Sequence, residues 1–205
     1  MRKILAFCIL AAAPILAAEN GAMTPAERTF LVEQLEKSKA DFLASIAGVT
    51  SAQWTFKPAP DVWSVAECSE HIILAEDFLR GVAQNMLKSP AVERLATSNA
   101  EVDQKLVTGV GDRSQKRKAP EPIVPSGKIA TPADAVAEFA ARRDKSLEYA
   151  RTTTDDLRVH VTKGPAGPMD AYQFLLLMAS HTGRHTQQIR EVEANADYPK
   201  ATAQR

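Results

Sequence analysis

The sequence predicts an all-α protein, arranged as a four-helix bundle with a long crossover between the second and third helices. Only 6% of the 205 residues are aromatic, and few stretches alternate Val, Ile or Thr with polar residues as strands do. Four segments instead carry apolar residues at helical spacing, and each follows a residue type that caps helices. The bundle prediction rests on these amphipathic segments and on the unequal lengths of their connections.

Each predicted helix begins with a capping signal. The first and third start with Thr-Pro-Ala and then an acidic residue, which combines an N-cap, a proline at the first helical position and a capping-box acid. The four predicted N-caps are Thr24, Ser64, Thr131 and Asp170. The first, second and fourth helices are expected to end near Ala47, Leu87 and Ala194.

The third helix carries a charged residue within its apolar stripe. The apolar members are Val136, Phe139, Ala140, Leu147 and Ala150. Arg143 falls among them, so it pairs with a buried carboxylate, recognises an anionic group of a substrate, or extends its charged end to solvent.

The crossover between the second and third helices is about 43 residues long. A structureless loop of that length is unusual inside a compact domain. We therefore expect a short helix near Val92–Leu106 and a segment that packs over the bundle or covers its open end.

The N-terminus has the pattern of a signal peptide spanning residues 1–18. Arg2 and Lys3 precede the apolar run Ile4–Ala13, and small residues at 17 and 18 offer a cleavage site before Glu19. The alternative is an uncleaved anchor, although the apolar run is short for a membrane span. We expect an exported protein, periplasmic or secreted, whose domain of residues 19–205 is not inserted in the membrane after signal removal.

Charge and cysteine content exclude two classes of protein. Lys and Arg together number 25, as do Asp and Glu, so no basic excess indicates a nucleic-acid partner. Without the signal peptide the chain retains only Cys68, which rules out an intramolecular disulfide.

Two histidines four residues apart are the strongest functional signal. At roughly 100° per residue, His181 and His185 lie on the same helix face as several apolar residues. Those residues are Phe174, Leu177, Met178, Ile189 and Val192. Neutral imidazoles on a buried face need a hydrogen-bond partner or a metal ion, and this spacing suits two ligands of one cation.

His71 has an equivalent position on the second helix, in the middle of its apolar stripe. If the second and fourth helices are neighbours, three imidazoles converge and leave at least one coordination position open, as in catalytic sites. Zinc and nickel are the first candidates, with iron, manganese and copper as alternatives. The simpler interpretation is that each histidine is hydrogen-bonded in the core. His160 is expected in a loop, outside this set.

Several neighbours qualify as supporting residues. Gln188, three residues after His185, could bond a ligand imidazole, and Arg143 is a second candidate. Glu67 and Glu70 precede His71, and Glu67 is more simply the capping-box acid. Cys68 is either a fourth ligand or a small core residue. Since Thr182 stands where zinc proteases carry a glutamate, that signature and its general base are absent.

Two motifs resemble the DinB-like superfamily, which includes bacterial thiol-dependent transferases. Trp63-Ser64-Val65-Ala66-Glu67 with His71 is similar to its second-helix motif, and His181-Thr182-Gly183-Arg184-His185 with Gln188 to its last-helix motif. The resemblance spans about Met23–Pro199. It implies a four-helix bundle and a divalent metal site with His71, His181 and His185 as ligands. It further implies a small-molecule substrate, activation of a low-molecular-weight thiol, and in many relatives a homodimer.

Three functional hypotheses follow. The first is a metal-dependent transferase or hydrolase that acts on a small molecule. The second is a non-catalytic exported protein that binds a metal or small molecule under stress, as the missing general base and the export signal suggest. The third is a purely structural bundle. Export also counts against a cytosolic thiol as co-substrate.

Overall fold

The computed structural model describes residues 21–114, 118–165 and 167–200, and within these ranges it is mostly helical. The predicted signal peptide lies outside them. The helices are α1 (Pro25–Ser45), α2 (Ser51–Thr55), α3 (Val65–Met86), α4 (Ala100–Val110), α5 (Pro132–Thr152) and α6 (Ala171–Glu193). A 3-10 turn covers Glu121–Ile123, and strands β1 (Val161–Gly164) and β2 (Gly167–Asp170) form a hairpin. The all-α prediction is confirmed, with this hairpin as a small addition.

The four predicted helices are α1, α3, α5 and α6. The side chains of Thr24, Ser64, Thr131 and Asp170 each accept a hydrogen bond from the backbone N–H of the third helical residue, and the side chain of that residue accepts one from the backbone N–H of the cap. These reciprocal bonds satisfy amides that a helix leaves unpaired, and each cap contributes about 1 kcal/mol. Because capping depends on residues three positions apart, the helix starts could be read directly from the sequence.

The four long helices each pack against two of the others. α1 contacts α5 and α6, and α3 also contacts α5 and α6. These pairings support our proposal of a four-helix bundle. α6 additionally contacts α4, and it is buried continuously from Ala171 to Ser180. Among the helices that the structure describes, none is long and apolar enough to cross a membrane.

The crossover helix begins later than predicted. Instead of Val92–Leu106, α4 covers Ala100–Val110, and Val92 is exposed. The physical reason is Asn99, whose side-chain oxygen accepts from the Val102 amide and so caps the helix at that point. The apolar residues before it lie in irregular backbone.

The third apolar stripe is rotated relative to the prediction. Val136 is 40% exposed, whereas Ala135 is fully buried beside Phe139. The assignment of Val136 to the core was therefore wrong. In this helix the buried stripe also contains Ser146 and Arg143, so apolar character alone did not locate it.

The hairpin that precedes α6 was not predicted. Its strands have four residues each and pair antiparallel, with Val161 opposite Asp170. Gly167 adopts a φ of 101°, which favours glycine. Asp170 is both the last strand residue and the N-cap of α6, so the hairpin fixes where α6 begins.

Arg143 occupies the interior between the four long helices. Its side chain is fully buried and forms a two-pronged ion pair with Glu76 of α3, at 2.9 and 2.5 Å. It also donates to the Leu35 carbonyl and the Ser38 hydroxyl of α1, and to the Thr182 hydroxyl of α6. Of the three roles considered for Arg143, pairing with a buried carboxylate is the one observed.

A second buried arginine, Arg158, anchors the connection between α5 and β1. It forms ion pairs with Glu27, Asp103 and Asp170, on α1, α4 and β2 respectively. Its guanidinium lies 3.8 Å from the ring centre of Tyr172. This contact set ties the crossover helix and the hairpin to the start of α1.

Replacing Arg143 by Met should lower the free energy of unfolding by about 3–5 kcal/mol, because Glu76 would keep a buried charge without its partner. Arg142→Met is the matched control. Arg142 is adjacent in sequence but pairs with Asp77 and Glu138 near the surface, so its loss should change stability by less than about 1 kcal/mol. Urea unfolding followed by circular dichroism gives both values, and equal effects would contradict the interior role of Arg143.

Candidate metal centre

Three histidines meet between α3 and α6. His71 comes from α3, His181 and His185 come from α6, and one ring nitrogen of each lies within 4.8 Å of the others. The ring centres are 4.4–4.8 Å apart. The convergence predicted from helix patterning is therefore present, and it results from the packing of α3 on α6.

Two of the imidazoles have their outer nitrogen engaged. His71 donates through Nδ1 to the Ile123 carbonyl at 2.6 Å, and His185 donates through Nδ1 to Gln188 Oε1 at 2.9 Å. A neutral imidazole has one proton, so these bonds leave the Nε2 lone pairs available. Such outer partners orient metal ligands and fix their tautomer.

The third imidazole shows why a cation fits here. Nε2 of His181 lies 3.0 Å from Nε2 of His71. A direct hydrogen bond between them would place the proton of His181 on Nε2, whereas metal binding through Nε2 would place it on Nδ1; that buried atom has no hydrogen-bond partner within the described ranges in either tautomer. A divalent cation accepts both Nε2 lone pairs, and an all-imidazole donor set suits zinc, nickel, copper and iron.

The electrostatic environment keeps the three histidines neutral. Burial lowers the pKa of His185 to about 3, and burial together with the neighbouring imidazoles holds the pKa of His181 well below 6.5. Burial also lowers the pKa of His71, against a smaller opposing effect of its bond to Ile123. At neutral pH each ring is therefore uncharged and keeps one nitrogen lone pair, as metal binding requires.

An aromatic ring and a polar contact flank the three histidines. Trp63 is the residue before the α3 cap. The centre of its indole lies 4.8 Å from the centre of the His71 ring and 6.0 Å from that of the His185 ring. Thr182 bonds to Arg143 and to the Met178 carbonyl. Arg143 therefore bonds to the residue after His181 but donates to none of the three imidazoles.

Comparison with known proteins locates this geometry in a family. The family model of the DinB superfamily matches residues 34–189, which is more than half of the chain and contains all three histidines. The chain belongs to the DinB superfamily. It matches no curated protein and no solved structure.

In this DinB-superfamily protein, Glu70 supports the site in a way the sequence did not reveal. One carboxylate oxygen accepts from the amide and hydroxyl of Ser126, both at 2.9 Å, and the other from the amides of Gly127 and Lys128, at 2.7 and 3.2 Å. These bonds hold the crossover against α3. Since Ile123 lies in the same segment, Glu70 helps to keep the carbonyl that binds His71 in place.

Glu67, the other acidic residue that precedes His71, has a structural role. Glu67 closes the capping box with Ser64 and pairs with Lys57.

His160 lies between α5 and β1, partly buried, and is not part of the group of three histidines. Its Nδ1 is buried without a hydrogen bond in the part of the chain that the structure describes.

Cys68 is a core residue. It packs among apolar side chains that include Phe42, Ile72 and Ile189. Its sulfur is not among the grouped ligand atoms, and burial raises the pKa of its thiol to about 12. The interpretation as a small core residue is therefore supported over that of a fourth ligand.

Cys68 should resist alkylation by iodoacetamide in the folded protein at pH 8, because the reactive thiolate is suppressed and the sulfur is buried. The same residue should react readily in 6 M guanidinium. Mass spectrometry of the Cys68 peptide, before and after unfolding, measures both. Rapid labelling of the native protein would show that this part of the core opens.

Proposed function

We propose that this protein binds a divalent metal ion through His71, His181 and His185 and uses it in a transferase or hydrolase reaction on a small molecule. The observation that carries the proposal is the facing pair of Nε2 atoms on His71 and His181, 3.0 Å apart, beside a third neutral imidazole. Zinc and nickel are the first candidates, and iron, manganese and copper remain alternatives.

Three protein ligands leave one coordination position for substrate or water. A metal ion held by these histidines would lower the pKa of a thiol or a water molecule and would polarise a carbonyl. The chain's own residues set the conditions for that chemistry: the Ile123 carbonyl and Gln188 orient two of the ligands, and Trp63 lies against them.

The way in which a nucleophile could be activated is limited by which carboxylates are engaged. Glu67 closes the α3 cap, and Glu70 is bonded on both oxygens to the crossover. Neither is free to act as a general base beside His71. This supports a nucleophile that the metal ion itself would activate, a thiol or a water molecule, over one activated by a carboxylate general base. A homodimer remains part of the proposal.

The engagement of both carboxylates also favours a second candidate, a non-catalytic protein that sequesters a metal or a small molecule. Such a protein needs the three imidazoles and no general base. The two candidates differ in turnover: thiol conjugation or ester hydrolysis that a chelator abolishes would support the enzyme. Stoichiometric metal without turnover of either substrate class would support the binding protein.

Protein purified without an affinity tag should contain a divalent metal ion, and His185→Ala should lose most of it. Elemental analysis measures the metal content, and a chelator should lower the melting temperature of the wild type, because a metal bound only to the folded state stabilises it. His160→Ala is the matched control and should retain the ion. Undiminished metal in His185→Ala would refute the ligand assignment.

We also propose that residues 1–18 direct export. Expressed at full length in a bacterium, the protein should be recovered outside the cytoplasm with an N-terminus at or near Glu19, as measured by intact mass. Reversing the charges of Arg2 and Lys3 to glutamate should block processing, because the positive segment orients a signal peptide. A secreted or cytoplasmic product that retains Met1 would contradict cleavage at this site.

A further inference from the structure

Arg113, in the crossover just after α4, reaches across to α6 beside the three histidines. Its Nε and Nη2 donate to the two carboxylate oxygens of Glu191 at 2.6 and 2.7 Å, and its Nη1 donates to Gln188 Oε1 at 3.2 Å. The two-pronged pair with Glu191 fixes the plane of the guanidinium. Arg113 therefore presents a donor to Gln188 in a defined direction.

The oxygen of Gln188 is shared between Arg113 and a metal-ligand candidate. The same Oε1 accepts from His185 Nδ1 at 2.9 Å. A carboxamide has one accepting end and one donating end, whereas a guanidinium only donates. Arg113 therefore requires the oxygen of Gln188 to point toward it, and this oxygen requires a proton on Nδ1 of His185.

We propose that Arg113 is a positioning residue that sets the tautomer of His185 through Gln188 and thereby raises the metal affinity of the three-histidine site. This inference rests on the proposed metal-binding function. Without Arg113, the Gln188 amide can rotate and present its NH₂ group to His185 Nδ1. That arrangement favours the tautomer with the proton on Nε2, which removes the lone pair that this nitrogen would otherwise offer to a metal ion.

Attachment of the crossover to α6 does not depend on Arg113 alone. Arg184 donates to the carbonyls of Val110 and Asp112, immediately before Arg113 in the chain. Leu106 of α4 is buried in the main core cluster. The segment keeps these anchors when Arg113 is replaced, so the effect on His185 can be measured without loss of the fold.

The test compares Arg113→Met with the wild type by two measurements. Chelator competition should show zinc binding about tenfold weaker in the variant, since loss of outer partners of metal ligands costs roughly 10–100-fold in affinity. Long-range ¹H–¹⁵N NMR of the metal-free proteins at neutral pH should show the Nδ1–H tautomer of His185 in the wild type and a mixture in the variant.

Arg151→Met is the matched control. Arg151 forms an arginine–glutamate pair between α5 and α1, with Glu36, and its loss should leave zinc affinity and the His185 tautomer unchanged. Arg113→Lys, which keeps a donor-only group, should retain the Nδ1–H tautomer.

A rescue experiment separates positioning from a structural role. Glutamate at position 188 only accepts hydrogen bonds when ionised, so Gln188→Glu in the Arg113→Met background should restore the Nδ1–H tautomer and the zinc affinity. A merely structural role of Arg113 would not be rescued by this change. An unchanged tautomer in Arg113→Met, or an affinity loss that Gln188→Glu does not repair, would overturn the proposal. If the wild type binds neither zinc nor nickel, iron, manganese or copper, the metal function fails, whereas the tautomer measurement still decides the role of Arg113.

Discussion

The packing of α6 against α3 is the contact on which the candidate site depends. It brings His71 to the pair His181 and His185 and buries all three rings enough to keep them uncharged. Buried polar groups destabilise a fold unless they are bonded. Nδ1 of His71 and Nδ1 of His185 meet this requirement through protein acceptors. A cation between the facing Nε2 atoms of His71 and His181 would meet it for those two atoms.

Charge in the interior is handled differently from the neutral imidazoles. Arg143 and Arg158 are fully buried, and each is paired with at least one carboxylate. Arg143 lies on α5 and bonds to side chains or carbonyls of α1, α3 and α6. It therefore links α5 to each of the other three long helices. Since Thr182 of α6 is among its partners, this buried network reaches the residue directly after His181.

The crossover supplies much of the support for the site. It contributes the Ile123 carbonyl to His71, the amides that bind Glu70, and the guanidinium of Arg113. Its length is explained by these contacts, because one segment must pass along α3 and α6. The prediction that the crossover packs over the bundle was correct in outline, whereas the predicted position of the crossover helix was wrong.

The sequence by itself determined the four long helices and the identity of the clustered histidines. Capping boxes and helical periodicity act over three or four residues, so Thr24, Ser64, Thr131 and Asp170 marked the helix starts, and His185 and Gln188 could be placed near one another. Only the tertiary structure decided what holds the site. Ile123 lies 52 residues from His71, and Arg113 lies 75 from Gln188. A backbone carbonyl has no side-chain signature, and an arginine in a basic loop resembles any solvated charge until the chain folds and brings it to its acceptor.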